Sequence, residues 1–308
     1  MFTEPFHTRF APTPSGFLHR GNAYNALLCW MLARKSGGSL RLRIDDMDAA
    51  RTRPEYARDV FDSLAWLGLA WERGPQDPTE LIQESQPLHV DRYEATLAAL
   101  LETDRVYACT CSRAQLRADA VDGIYPGTCR DCGLPLTHPD AAWRIRLDGL
   151  PAESWNDGWL GPVSAWPSAE GDPIIRRRDG LPAYHICSLT DDARHGINLL
   201  VRGEDLLAAT VVQRAIARLL STHSRMADFL DADCVHHSLS TDEEGQKLSK
   251  SAGASSLHHL YEAGQTPATV WKELAAWLAL PAPASISLDS LLAAFDSTCL
   301  PGWKSIQD

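Results

Sequence analysis

Two short strings carry the side chains best suited to handling a phosphate chain: RFAPTPSGFLHRGN at residues 9–22 and KLSKS at 247–251. The 308 residues include five lysines against twenty-four arginines, and Lys247 and Lys250 both fall in the second string. A flexible ammonium follows a phosphate that changes geometry, whereas the planar guanidinium fork suits a fixed one. In the first string His19 can donate a hydrogen bond to phosphate. Gly21 lets a ligand approach the backbone, and Asn22 lies where a helix would begin, with unpaired N–H groups and positive potential. Each string alone is weak, because a capped helix with a surface histidine explains H-x-G-N and Lys-Ser loops are common. Together, at opposite ends of one parallel sheet, they predict a site for a phosphate chain.

A second constellation is Cys109-Thr-Cys111, followed by Tyr125, Cys129 and Cys132. Two close cysteine pairs about twenty residues apart have the spacing of zinc ligands, which by spacing alone nominates Cys109, Cys111, Cys129 and Cys132. Four protein ligands leave no open position, so such an ion would be structural. The chain has eight cysteines, four of them in this cluster. In a reducing compartment that clustering favours metal over disulfides.

These groups need a scaffold, and the hydrophobic pattern supplies one. Residues 7–11 read as a strand entering the Pro12–Gly16 turn. Ala23, Leu27, Trp30 and Met31 then follow helical spacing until Gly37-Gly38. Ser39–Ile44 (SLRLRI) alternates as a strand, with Asp45 at its carboxyl end. Pro54 opens a second helix, and a third spans about 88–102. Strand and helix in alternation predict an α/β fold with a parallel sheet, whose ligands bind beyond the carboxyl ends of the strands. Residues 105–190, with the cysteines and many Gly, Pro and Trp residues, break the alternation and read as an insertion. INLLVRGEDL from Ile197, a helix over 210–220 and a strand over 234–239 resume it ahead of KLSKS. Two further helices follow, near 270–280 and 288–295.

Apolar content of 44% supports a real core. No apolar run approaches the roughly 18–20 residues that cross a bilayer, and the first residues lack a secretory pattern, so a cytoplasmic location is expected. The formal charge of −11 argues against a sequence-blind nucleic-acid binder. A local basic groove at Arg176-Arg177-Arg178 is compatible with it, as is a solvated turn ahead of Asp179-Gly180.

The two strings resemble the HIGH and KMSKS signatures of class I aminoacyl-tRNA synthetases, and RFAPTPSGFLH with VRGED is similar to the glutamyl branch. The resemblance implies a Rossmann-like catalytic core with a zinc-containing insertion and a short helical C-terminal segment. The divisions would be 1–104 and 191–255 for the two halves of the core, 105–190 for the insertion and 256–308 for the helical segment. It also implies that His19, Gly21, Asn22 and Lys250 bind ATP with Mg2+, and that His19, Lys247 and Lys250 act on the phosphates. Asn22 stands where the HIGH pattern has its second histidine. Arg9, Ala11, Thr13, Asp45, Tyr184 and Arg202 would hold L-glutamate, the two arginines pairing with its carboxylates. Relatives often carry RIED where this chain has RIDD, which sets the Asp45 carboxylate about one methylene back and suggests a water-bridged contact. Short members of the family use Cys-x-Cys, a tyrosine in a GIY string and a cysteine four residues later. GIYPGTC matches, so the resemblance implies Cys109, Cys111, Tyr125 and Cys129 as the zinc ligands.

Only 57 residues follow Ser251. They are too few for the large anticodon-gripping domain of glutamyl-tRNA synthetases, so none is expected. The pattern resembles the short glutamyl-queuosine tRNA(Asp) synthetases, which activate glutamate without tRNA and attach it to queuosine at the wobble position of tRNA(Asp). An unpaired loop base is the kind of RNA target a protein can receive. No membrane and no obligate protein partner is expected. The alternative is a truncated glutamyl-tRNA synthetase charging the 3′ end of tRNA(Glu). A non-catalytic tRNA- or zinc-binding module and a small-molecule nucleotidyltransferase are the more distant readings.

Overall fold

Strand β1 (His7–Phe10) leads through the Pro-rich turn into helix α1 (Arg20–Ser36), which opens on a reciprocal cap. His19 Nδ1 accepts from the Asn22 N–H at 3.4 Å, and Asn22 Oδ1 accepts from the His19 N–H at 3.1 Å. Gly37, at φ 72°, ends the helix in the left-handed region. A Cβ on Gly38 would sit 1.9 Å from the Phe6 carbonyl oxygen, so only glycine lets the chain turn back beside β1 as β2 (Ser39–Leu42). The computed structural model describes residues 4–48, 50–120, 123–222, 225–239, 256–281 and 285–304. Lys247 and Lys250 lie outside these residues.

Helices α2 (Pro54–Trp66), α3 (Pro78–Glu84) and α4 (Val90–Leu101) follow. Next come β3 (Val106–Cys109), α5 (Arg113–Asp119), β4 (Ala142–Ile145), β5 (Glu153–Asp157), β6 (Gly161–Ala165) and β7 (Ile174–Arg176). Helix α6 (Tyr184–Arg194), β8 (Leu199–Gly203), α7 (Leu207–Leu219), α8 (Met226–Leu230) and β9 (Asp233–His237) rebuild the alternation. Helices α9 (Leu257–Glu262), α10 (Ala268–Trp277), α11 (Leu288–Ala294) and α12 (Pro301–Lys304) complete the described chain.

The main sheet has the order β2-β1-β8-β9-β5-β6, parallel throughout except for β6 against β5. Successive strand residues point to opposite faces. Accordingly Leu199, Val201 and Val235 join α1, α2 and the C-terminal helices in one core, while Leu200 and Cys234 join α4, α6 and α7 in another. The core is therefore an α/β sandwich, as the alternation implied.

The segment 105–190 differs from a simple insertion. Strands β3, β4 and β7 form a separate antiparallel sheet beside the cysteines, but the β5–β6 hairpin extends the main sheet and α6 packs on its face. The hairpin is held because the Asp157 carboxylate accepts from the His236 backbone N–H at 2.9 Å and from the His236 ring at 2.5 Å. Helix α12 clamps its turn, with the Gly302 and Trp303 N–H groups donating to the Gly158 carbonyl. No helix among the described residues is long and apolar enough to cross a membrane.

Candidate active site

Strands β1 and β8 are neighbours, yet the chain leaves them toward opposite edges of the sheet. Between two such carboxyl ends a crevice opens, which in parallel sheets is the usual ligand position. A cavity of about 550 Å³ occupies this place. Its walls come from the ends of β1 (Arg9, Phe10, Ala11) and β8 (Val201, Arg202), from the α1 entry (His19, Gly21, Asn22) and from Asp45, Tyr184 and His237.

The floor is a buried cluster of three arginines around one carboxylate. Asp192 Oδ1 accepts from Arg9 Nε at 3.0 Å and Arg43 Nη1 at 2.5 Å, and Asp192 Oδ2 accepts from Arg202 Nη2 at 3.2 Å. Burial alone would raise the Asp192 pKa, but the three guanidinium groups hold it well below the usual carboxylate range. Arg43 also forks onto Asp45, with Nε–Oδ1 at 2.7 Å and Nη2–Oδ2 at 3.3 Å. Asp191 Oδ2 lies 3.9 Å from Arg43 Nε as well, so three fixed cations face three carboxylates and the cluster is close to neutral. Arg202 is further braced by Thr210 Oγ1 at 2.9 Å and Gln213 Oε1 at 2.7 Å, and Thr210 lies 2.8 Å from His236 Nε2. Its Nε is buried with no hydrogen-bond partner among the described residues. A buried donor left open beside a cavity favours an incoming acceptor such as a carboxylate.

Of the residues named from sequence, Arg9, Ala11, His19, Gly21, Asn22, Asp45, Tyr184 and Arg202 line this one cavity. Thr13 is exposed on the turn and lies outside the lining. Asp45 faces the cavity but both its oxygens are engaged by Arg43, and burial raises its pKa in spite of that partner. The His19 cap defines the ring: with Nδ1 accepting, the proton of the neutral imidazole sits on Nε2. The described chain on either side of KLSKS is anchored here. Leu239 lines the cavity, Ser256 bridges to His19, and the Leu257 N–H donates to the Leu18 carbonyl at 2.7 Å.

Sequence reasoning missed Arg43 and Asp192. The available signal for Arg43 was the alternation of SLRLRI, which puts arginines on one face of a buried strand. For Asp192 no local signal existed, since LTDDAR reads as an ordinary helix end.

The cysteines form a second cluster. The Sγ atoms of Cys109, Cys111 and Cys129 lie within 4.8 Å of one another, and all are free thiols. The Tyr125 hydroxyl is 3.6 Å from Cys109 Sγ and 3.9 Å from Cys111 Sγ, and it accepts from the Cys129 N–H at 2.8 Å. Cys132 is exposed, with its thiol on the Thr128 carbonyl, outside the group. Burial would raise Cys109, but hydrogen bonds from Tyr125 and Arg144 bring it below its ordinary value, while burial pushes Cys111 up to about 12. Three convergent sulfurs and a phenol oxygen, beside the Arg144 guanidinium 3.8 Å over the Tyr125 ring, fit a tetrahedral zinc site. Arg178 donates to the Thr110 and Cys111 carbonyls, Arg177 pairs with Asp48 and Asp179, and Arg176 covers Trp143. The arginine triplet thus ties down the small sheet and the cysteine loop.

Residues 5–125 and 137–277 match the model of the class I tRNA synthetase (E and Q) catalytic domain. The glutamyl-Q tRNA(Asp) synthetase of Symbiobacterium thermophilum is 36% identical over 316 residues, covering 95% of this chain and 93% of that protein. The chain belongs to the glutamyl-Q tRNA(Asp) synthetase family of class I tRNA synthetases. This synthetase is accordingly a ligase of the aminoacyl-tRNA synthetase class. It is also 35% identical to glutamate–tRNA ligase 1 of Cereibacter sphaeroides, covering 94% of this chain and 65% of that ligase. The glutamate–tRNA synthetase structure from Elizabethkingia anophelis shares the synthetase's fold, with TM-score 0.77 at 24% identity over 96% of this chain and 67% of that one.

Proposed function

We propose that this chain activates L-glutamate with ATP in the absence of tRNA and then transfers glutamate to the queuosine at the wobble position of tRNA(Asp). The observation that carries the reading is the buried arginine floor, with Arg202 Nε open, set beside the capped start of α1. The names of the relatives that match nearly end to end support the choice of acceptor.

Arg9 and Arg202 receive the two carboxylates of glutamate, Tyr184 closes the side of the pocket and Asp45 faces the ammonium, through water where its oxygens remain on Arg43. Ala11 supplies backbone beside the amino acid, and Thr13 borders the entrance from the turn. His19 Nε2–H, Gly21 and Asn22 take the triphosphate of ATP with its Mg2+, and Lys247 and Lys250 grip it from the other side. A glutamate carboxylate oxygen attacks the α-phosphorus as the bond to pyrophosphate breaks, and Lys250 stabilises the charge on the leaving group. A hydroxyl of the queuosine cyclopentene-diol then attacks the adenylate carbonyl, loses its proton and releases AMP. Zinc on Cys109, Cys111, Tyr125 and Cys129 would pin the small sheet and supply no chemistry to these steps. In this reading 1–104 and 191–255 form the core, completed by the β5–β6 hairpin and α6, the rest of 105–190 is the acceptor-facing part and 256–308 the helical segment, and the protein works in the cytoplasm.

The similarity to a glutamate–tRNA ligase favours one second reading, the charging of the 3′ end of tRNA(Glu). Glutamate-dependent ATP–pyrophosphate exchange without RNA, followed by labelled glutamate with queuosine-containing or queuosine-free tRNA(Asp), separates the two. Exchange without RNA and label on queuosine alone is the expected result. Exchange that needs tRNA, with label on a 3′ end, would overturn it.

A further inference from the structure

Strand β2 and the extended residues that follow it through Ile44 have two unlike faces. Leu40, Leu42 and Ile44 lie in the core beside α1 and α2, so alternation sends Arg41 and Arg43 to the other side. There they floor a second cavity of about 970 Å³, lined partly by α4 and α6. Arg43 belongs to the walls of both cavities. Around this one stand Arg73 beyond β2, Arg92 on α4, Arg194 at the end of α6 and Arg225 before α8, with His89 and His195.

Against six arginines the lining offers two acids, Glu84 and Asp191. Asp191 is already engaged by the Tyr93 hydroxyl and by Gln86 Nε2, each at 3.0 Å. Glu84 is 3.5 Å from Arg41. Arg73, Arg92 and Arg194 form no ion pair among the described residues, whereas the surface arginines Arg34, Arg53 and Arg146 are paired with Glu72, Glu55 and Asp131. On the floor, Arg41 Nε and His195 Nδ1 are buried without a hydrogen-bond partner among the described residues. Burial, with Arg41 and Arg43 alongside, pushes His195 down to about 3, so the ring is neutral near pH 7 and adds no charge of its own. In a chain of net charge −11 this is a local reversal of sign, and a cleft lined by one sign concentrates counter-ions.

We infer that this cavity is a second anion site that takes a compact polyphosphate, either free pyrophosphate or the phosphate tail of a nucleotide. Guanidinium forks match phosphate oxygens in pairs. The arginines come from separate elements and converge on one hollow, the arrangement for a compact polyanion rather than for an extended strand. The hollow is also larger than the first cavity beside it.

The test is equilibrium dialysis of the full chain at low salt with labelled pyrophosphate in one arm and UTP in the other. It compares wild type with the double variant R92A/R194A. Both arginines lie on the rim outside the catalytic cavity, and equal thermal midpoints would confirm that the variant folds. The expected result is a more than tenfold loss of affinity, or loss of one bound equivalent, for at least one probe. Glutamate-dependent ATP–pyrophosphate exchange should stay within about twofold. Tighter binding of UTP than of pyrophosphate identifies a nucleotide tail as the source, and the reverse a free anion. Unchanged binding of both probes overturns the site. So does a variant that loses tRNA affinity while binding both small anions normally, which would make the groove an RNA track. The exchange assay reports the first cavity separately, so failure there leaves this test readable.

Discussion

Two arginine-lined cavities share Arg43 and treat their cations in opposite ways. Beside β1 and β8, Arg9, Arg43 and Arg202 converge on Asp192, with Asp45 and Asp191 also on Arg43, so charge is nearly balanced before any ligand arrives. Beside α4 and α6, Arg73, Arg92 and Arg194 stand without carboxylate partners among the described residues. The first arrangement fixes geometry at the cost of stability when broken. The second leaves charge open and depends little on any one residue.

Asp192→Asn should break this contrast most severely. It leaves three buried guanidinium groups short of a counter-charge, with a loss of about 3–5 kcal/mol expected from breaking a buried pair. Urea unfolding at pH 7 measures it. The acid behaviour has a definite sign. Because the folded-state pKa of Asp192 is depressed, its contribution is present above the unfolded value of about 3.9 and is lost as pH falls below it. The variant should therefore lose less stability than wild type between pH 5 and the acid limit.

Cys129→Ser tests a third kind of cohesion, in which side chains converge on a shared partner. Zinc content should fall from one equivalent toward none and the small sheet should loosen, while glutamate affinity changes little. Full retention of metal would point to Cys132 instead.

Thr210→Val sharpens the account of the first cavity. It removes the hydroxyl that receives Arg202 Nη1 and meets His236, at about 1–3 kcal/mol for a stranded buried donor. The KM for glutamate should rise several-fold with kcat less affected. At the small end, Arg73→Ala should change stability by no more than about 0.5 kcal/mol. A larger loss would show that the second cavity's rim is structural after all.

Much of the first cavity was legible in the chain. His19 lies in a string whose residue types suit phosphate, Arg9 and Arg202 were named through the family resemblance, and the strand–helix pattern located their rim. Arg43 and Asp192 were harder, because their meaning lies in a contact between the residue that follows β2 and α6, which neither sequence stretch contains. Thr13 belongs to the same string but is exposed on the turn, outside the cavity lining. The β5–β6 hairpin was hidden among Gly and Trp residues, although Asp157-Gly158 is a turn signal that could have revealed it. Its attachment to the main sheet rests on a buried Asp157–His236 pair that spacing does not announce.

The reciprocal cap at the head of α1 gives the His19 ring a structural duty beside the phosphate contact proposed for it. An alanine there would unfasten the first turn of the helix as well as remove a proton donor, so any loss of activity would have two causes. Asparagine is the more discriminating replacement. It can still accept from the backbone and hold the turn together, leaving the missing imidazole as the only difference to be read.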